Sequence, residues 1–315
     1  MDPKSPIVCA TDLSPGGARA VDLAARVAQD LRAPLRLVHA TDLGGLRDRA
    51  ASPAQRTLIE RVEQRTAFLA EQLESERTRA SATAPEVECA LIEGRPWEAI
   101  VEDAHRTHAQ LVVVGPHGQS GPAEVLRSAA MEWLLGITAD RVVRRAPCPV
   151  LVAPHTGELP RLASGTFLVG LDFEPPSRVA LDLALQLAKQ LGARVHAVHV
   201  VPEILPAAVA AQHAAPIADD TIDHPAHEEA GARDRLAEMI TEARARLDAA
   251  PPVDLHVVRG DPPVALGELA LELGATLIVV GTHGRTGVAH ALLGSVAERV
   301  LRRARRPVLC VRPAR

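Results

Sequence analysis

Residues 111–118 read LVVVGPHG and residues 277–284 read LIVVGTHG. Each is a continuous apolar run that closes on a glycine-rich turn, the signature of a strand buried on both faces. The likeness extends in both directions. Downstream, LLGITADRVVRRAPCPVLVA (134–153) matches LLGSVAERVLRRARRPVLCV (292–311). Upstream, IVCATDLSPGGARAVDLAARVAQDLRAPLRLVHA (7–40) matches FLVGLDFEPPSRVALDLALQLAKQLGARVHAVHV (167–200). The halves align along their whole lengths, so the chain is a duplicated domain and not an array of short units.

Within the second half, apolar runs alternate with helical patterns. Strands are expected at Phe167–Leu171, Arg194–Val201, Leu255–Val258, Leu277–Val280 and Pro307–Val311. Between them, Ala180, Ala184, Leu187, Ala188 and Leu191 share a helix face that Gly192 stops. Further helices are expected at Glu228–Leu247, Pro263–Leu273 and Val288–Arg303. In the first half, Ser52-Pro53 reads as a cap and first helical residue, followed by Leu58, Val62, Leu69 and Leu73 at turn spacing. Strands alternating with helices imply right-handed crossovers and a parallel sheet covered on both faces. The expected architecture is α/β: two Rossmann-like, doubly wound domains at 1–155 and 165–315, each a five-stranded parallel sheet of order 3-2-1-4-5. A Pro/Gly-rich linker is expected at Pro154–Thr166, and Pro202–Ala226 reads as a loose segment.

Composition narrows the function. The 315 residues suit two domains and carry 35 basic against 39 acidic side chains, a net charge of −4. That balance gives no pull toward nucleic acid or an anionic membrane surface. Aromatics are 2% of the chain, three Phe and two Trp with no Tyr, so stacking platforms for single-stranded nucleic acid are not expected. No run reaches the roughly 18 apolar residues of a membrane span. Met1-Asp2-Pro3-Lys4 has no apolar signal core, and four Cys without C-x-x-C read as reduced thiols, Cys9 and Cys310 within strands. A cytosolic protein is expected.

In doubly wound sheets, ligands bind beyond the carboxyl ends of the strands, where strand order reverses. Asp172 follows strand one of the second half, and Gly281-Thr282-His283-Gly284-Arg285-Thr286-Gly287 follows strand four. Glycines let backbone N–H groups approach phosphate oxygens, Arg285 supplies a cation, and Gly294-Ser295 opens a helix segment. The pattern G-x2-G-x9-G-S is neither a Walker A loop nor G-x-G-x-x-G.

Taken with the early Asp, the G-x-H-G after strand four and the RRAxxPVL ending, this pattern resembles the universal stress proteins, here as a tandem pair. The resemblance implies a cytosolic, ATP-binding stress-response regulator, with Mg possible beside the ATP. It implies that Asp172 and Val200 contact the adenosine, that Gly281, Gly284, Arg285, Gly294, Ser295 and Val296 surround the phosphates, and that Val280 is also among the cofactor-binding residues. It also implies pairing of the two halves through their last strands, Pro149–Ala153 antiparallel to Pro307–Val311. Association of two chains and an unnamed regulatory protein partner are further expectations. With few rings in the chain, adenine is expected against aliphatic walls such as Val200.

The first half departs from the pattern. Asp12, Gly115 and Gly118 are kept, but seventeen residues separate Gly118 from Gly136, against nine between Gly284 and Gly294. Ile137 stands in the place of Ser295, and Pro116 removes one N–H from the loop. The expectation is an altered site, with Gln119–Trp133 as an insertion. Two other readings stay open: a slow Mg-dependent ATP hydrolase or phosphotransferase using Asp172, and a nucleotide-free interaction scaffold. Metal ligation by His224 and His227 with Asp219, Asp220, Asp223 and Glu228 is outweighed by a solvated loop. His39 and His199 read as packed imidazoles satisfied by backbone. The arginines at 141, 144, 145, 299, 302, 303, 305 and 306 read as a solvated face at helix C-termini.

Overall fold

A computed structural model of the chain describes residues 4–42, 53–117, 135–203, 225–282 and 293–313. The first half runs β1 (Ile7–Ala10), α1 (Pro15–Leu31), β2 (Leu35–Thr41), α2 (Pro53–Ser81), β3 (Val87–Glu93), α3 (Pro96–Arg106), β4 (Leu111–Val114), α4 (Ile137–Arg145) and β5 (Val150–Val152). The second repeats it with β6 (Thr166–Gly170), α5 (Pro175–Leu191), β7 (Arg194–Val201), α6 (Pro225–Ala245), β8 (Val253–Arg259), α7 (Pro262–Glu272), β9 (Leu277–Gly281), α8 (Ser295–Arg303) and β10 (Val308–Val311).

All ten strands form one sheet in the order β3-β2-β1-β4-β5-β10-β9-β6-β7-β8. Each half is therefore parallel with order 3-2-1-4-5. The join is antiparallel, pairing Val152 with Val308, Leu151 with Leu309 and Val150 with Cys310. Because only this junction reverses direction, the carboxyl ends of the two half-sheets lie on opposite edges of the whole. The crevices at β1/β4 and β6/β9 face away from each other.

Small residues let the central helices sit close to the sheet. Ala20, Ala24 and Ala28 of α1, and Ala180, Ala184 and Ala188 of α5, are fully buried at helical spacing. The core is aliphatic otherwise, with Phe167 its one large ring among the fully buried side chains. Two helix starts differ from the sequence reading by more than a residue. α6 starts at Pro225 rather than Glu228, because proline is preorganised for a first helical turn. In the described residues α8 starts at Ser295, since Gly294 adopts an extended cap conformation, φ −59° and ψ 141°. Residues 288–292 of that expected helix, Ser52, the side chain of Leu58, and most of the 202–226 segment lie outside the described residues.

The linker is not a loose tether. Arg19, Arg26 and Asp30 form one stripe on α1 and hold it along its length. Arg19 donates to the carbonyls of Pro154 (3.3 Å) and Gly157 (2.7 Å), and Arg26 to that of Leu159 (2.6 Å). The Asp30 carboxylate, buried to 0% exposure, accepts from Arg161 (2.8 Å) and from the backbone N–H of Leu162 (2.9 Å) and Ala163 (3.0 Å). Leu159 and Leu162 insert into the core, and Ser164 N–H donates to Leu191 at the end of α5.

Asp30→Ala removes the acceptor for two backbone N–H groups. It should lower the stability of the full chain in urea unfolding by about 3 kcal/mol, since each stranded donor costs about 1–3 kcal/mol. An unchanged midpoint would mean that the strap contributes nothing to holding the halves together.

Candidate functional site

At the carboxyl edge of the second half, Asp172 stands two residues beyond β6. Among the described residues, its Oδ1 accepts one hydrogen bond, from Glu174 N–H at 3.1 Å. Phe173 follows with φ +68°, a left-handed conformation that turns the chain between β6 and α5. Its ring lies 4.2 Å from that of His199 on β7, and the Arg235 guanidinium of α6 sits 4.1 Å from its centroid. Nδ1 of His199 is fixed by the Leu171 carbonyl at 2.7 Å, as Nδ1 of His39 is by the Thr11 carbonyl at 2.8 Å in the first half. Both imidazoles are thus anchored by backbone. Phe173 is thus a ring beside Asp172, partly buried against the core cluster that includes α5 and α6, while Val200 and Val280 belong to the other cluster. A count of aromatics says nothing of where they fall, and one of the three Phe falls beside Asp172.

Gly281 ends β9, and its local role is packing. A Cβ there would lie 2.9 Å from the carbonyl carbon of Pro176 and 3.0 Å from Ser177 N, both backbone atoms in the first turn of α5. Gly115 makes the matching approach in the first half, with a Cβ 3.2 Å from the Gly16 carbonyl oxygen. Beyond Gly281, buried Thr282 donates its N–H to Val311 (3.0 Å) and accepts from Gly294 N–H (2.7 Å). This closes the loop and sets the start of α8. Gly294 provides no side-chain cap. Ser295 is exposed, and Val296 is 37% exposed. Among the described residues, the first-turn N–H groups of α8 therefore have no capping side chain, at the positive end of the helix dipole.

Val200 and Val280 are buried in one cluster with Val198, Leu266, Leu293 and Ala297, on the sheet face that α7 and α8 cover. They are near-terminal residues of β7 and β9 on that face. The structure thus gathers Asp172, Val200, Val280, Gly281, Gly294, Ser295 and Val296 at the ends of β6, β7 and β9. Gly284 and Arg285 lie outside the described residues.

The first half has the same frame with different occupants. Gly136 N–H donates to the Pro116 carbonyl at 2.8 Å and caps α4, as Gly294 does to Thr282 and α8. Ile137, 73% exposed, occupies the place of Ser295. Asp12 is committed to the cap of α1: its Oδ1 accepts from Ser14 N–H (3.1 Å) and Ser14 Oγ–H (2.5 Å), while Ser14 Oγ accepts from Gly17 N–H (3.1 Å). His117, in the loop after β4, lies 4.3 Å ring to ring from His155, the residue that enters the linker. Burial, His117 and the Arg19 cation push the His155 imidazole down to about 4, so it is neutral at pH 7. Gly118 and the 119–133 insertion lie outside the described residues.

The remaining candidates resolve as follows. Among the described residues no group of three or more His, Cys, Asp or Glu is arranged to hold a metal ion. Asp219, Asp220, Asp223 and His224 fall outside them. Cys9 and Cys310 are buried, and burial raises both thiols, Cys310 to about 12, so neither is a thiolate at neutral pH. The arginine runs are not merely a solvated face. Arg141 and Arg145 lie 5.6 and 4.7 Å from the Trp97 ring, Arg144 pairs with Asp140, Arg299 with Asp261 and Arg302 with Glu298. No described helix is long and apolar enough to cross a membrane.

A family model described as the universal stress protein family matches the chain twice, at residues 5–154 and 164–312. A universal stress protein of Mycobacterium tuberculosis is 30% identical over 228 residues, which span 72% of this chain and 69% of that protein. Universal stress protein E of Salmonella typhi is 28% identical over 274 residues, 83% and 79% of the two chains. Among solved structures, a universal stress protein from Archaeoglobus fulgidus superposes with a TM-score of 0.64 at 20% identity, covering 98% of each chain, a likeness of fold.

The backbone contact at Gly281 yields a test that needs no ligand. Gly281→Ala should destabilise the nucleotide-free chain by about 1–3 kcal/mol, because a backbone segment must move to admit the methyl group. Gly267→Ala on α7, where a Cβ meets nothing within 4 Å, should be neutral or stabilising by up to about 1 kcal/mol. Equal stability of both variants in urea would return Gly281 to a role in the loop alone.

Proposed function

The chain belongs to the universal stress protein family, and from that premise we propose that its second domain is a cytosolic nucleotide-binding module that takes ATP. The observation that carries the reading is the uncapped start of α8. Gly294 is pinned to Thr282 and, among the described residues, the N–H groups of the first turn have no side-chain cap, next to the exposed Ser295 hydroxyl. Such a helix start favours phosphate through directed N–H groups and the dipole together. Gly281, Gly284 and Arg285 complete the phosphate side of the proposed site. On the other side, Val200 and Val280 offer an apolar floor for adenosine, and the Phe173–His199 pair stands beside Asp172.

The donor set fits the ligand. Backbone N–H groups, one hydroxyl and an Arg would meet the polyphosphate, and a carboxylate would face the ribose or a magnesium ion on the phosphates. Asp172 would do the last of these, as its carboxylate accepts only the Glu174 N–H among the described residues. Nucleotide occupancy of this domain would set a regulatory state that a partner protein reads. The first domain would be weaker or silent. Its Asp12 is held by Ser14, Ile137 replaces the hydroxyl, and the linker lies against the loop at His117.

Denaturing the purified chain and analysing the released small molecules by mass spectrometry should yield an adenine nucleotide, or ATP should bind on titration. Ser295→Ile, which installs the first domain's residue, should weaken ATP binding at least about tenfold. The thermal midpoint of the nucleotide-free protein should stay within about 2 °C, because Ser295 is exposed. No binding at millimolar ATP would refute the proposal, and Mg-dependent ADP production abolished by Asp172→Ala would replace a binding role with a hydrolytic one.

A further inference from the structure

The outer strand of each domain is fastened to its neighbour by a polar cluster at the same place in the fold, and the two clusters have opposite chemistry. In the first domain Arg36 of β2 reaches Glu88 of β3 at 2.7 Å and the buried Asp103 of α3 at 2.9 Å. Arg36 stays charged at every relevant pH, and the hydrogen bonds it donates to the Asp103 carboxylate strengthen its hold on the proton. In the second domain His196 of β7 replaces Arg36, Asp254 of β8 replaces Glu88, and Leu269 of α7 stands at the position of Asp103. Without the carboxylate on the covering helix, a permanent cation here would be half-buried and poorly paired, which is unfavourable.

A second imidazole takes up the contact instead. Nδ1 of His196 faces Nε2 of His256 on β8 at 2.9 Å, with ring centroids 5.1 Å apart and planes tilted by 38°. Ala90 fills the place of His256 in the first domain. A contact between two ring nitrogens requires one to carry the proton and the other to offer its lone pair. It exists when the pair holds one proton between the facing atoms and becomes a repulsion when it holds two. The groups around the pair do not remove that conflict. Arg194 on the same strand opposes further positive charge, and on β8 Asp254 lies 3.8 Å away with its side chain 66% exposed. Leu168 of β6 and Leu269 of α7 are apolar.

We propose that the His196–His256 pair is an acid-sensitive clasp, which holds β8 to β7 while one proton is shared and releases the outer strand of the second domain when a second proton enters. The first domain, with Arg36 in that place, has no such response. The sign follows from the environment. Burial, and then the facing His256, push the His196 imidazole below its ordinary value, so the folded chain binds fewer protons there than the unfolded chain does. The stability contributed by the clasp is present above the ordinary imidazole value of about 6.5 and is lost as pH falls below it.

The test uses the full chain, whose first domain serves as an internal reference. Ring nitrogen chemical shifts of His196, followed from pH 8 to 4.5, should show protonation at lower pH than in the His256→Ala variant. Hydrogen exchange, corrected for intrinsic rates, should show β8 amides losing about tenfold in protection between pH 7 and 5, while β3 amides change less than about twofold. His196→Gln keeps a hydrogen-bonding side chain that does not titrate and should flatten the β8 response. Parallel loss of protection in β3 and β8, or an undiminished β8 response in His196→Gln, would overturn the proposal. So would micromolar binding of Zn²⁺ that His256→Ala abolishes, since the pair would then be a metal ligand. If the variants fail to fold, the ring shifts of the unmodified chain still decide: protonation of His196 at the ordinary value sinks the clasp.

Discussion

Three residue pairs, Val152–Val308, Leu151–Leu309 and Val150–Cys310, join two parallel half-sheets by their last strands, and much else is a consequence of that join. A five-stranded parallel sheet that ended at β5 would present a row of unpaired N–H and C=O groups flanked by buried aliphatic side chains. Pairing β5 with β10 satisfies both edges at once and merges the aliphatic clusters on each face into cores shared between the halves. The reversal of direction at the join fixes where ligands can go. It places the first crevice on one edge of the sheet and the second on the other, so the two sites cannot share a bound molecule.

The same reversal sets the path of the linker. β5 ends and β6 begins on one edge, so the linker has to cross the carboxyl edge of the first domain. It does so pinned to α1, and its leading residue, His155, packs on His117 in the loop after β4. At the corresponding point of the second domain, β10 is followed in the described residues by Arg312 and Pro313. The linker therefore packs against the loop after β4 in the first domain. The loss of the hydroxyl at Ile137 and the capture of Asp12 by Ser14 fall in that same domain.

Much of this was legible in the residues. Alternation of apolar runs with helical patterns gave the element order, and the match of PVLVA to PVLCV, read through the family resemblance, gave the antiparallel join. What escaped was whatever depends on two distant segments meeting. Arg19, Arg26 and Asp30 look like the solvent face of an amphipathic helix, because nothing local says that a linker 130 or so residues later will lie there. Phe173 was hidden in a composition total. The histidine clasp left a signal that the halves themselves contain: where one aligns Arg36 and Asp103, the other aligns His196 and Leu269, so cation and carboxylate vanish together. A paired loss of that kind marks a contact, and it can be read before any coordinates exist.

Gly281 shows why a motif glycine is weaker evidence than its spacing suggests. In the second domain it abuts the Pro176–Ser177 backbone, and in the first Gly115 makes a looser approach to Gly16, so packing favours glycine at both places whether or not phosphate binds. Their presence in both halves therefore does not separate a working loop from an altered one. Ser295 against Ile137 does, because both are exposed at the start of equivalent helices with equivalent glycine caps, where the fold asks for neither a hydroxyl nor a branched hydrocarbon. A difference that packing leaves free is one that binding can decide. The proposed nucleotide site therefore rests on the second half, where a hydroxyl stands at the helix start and Asp172 accepts one hydrogen bond among the described residues.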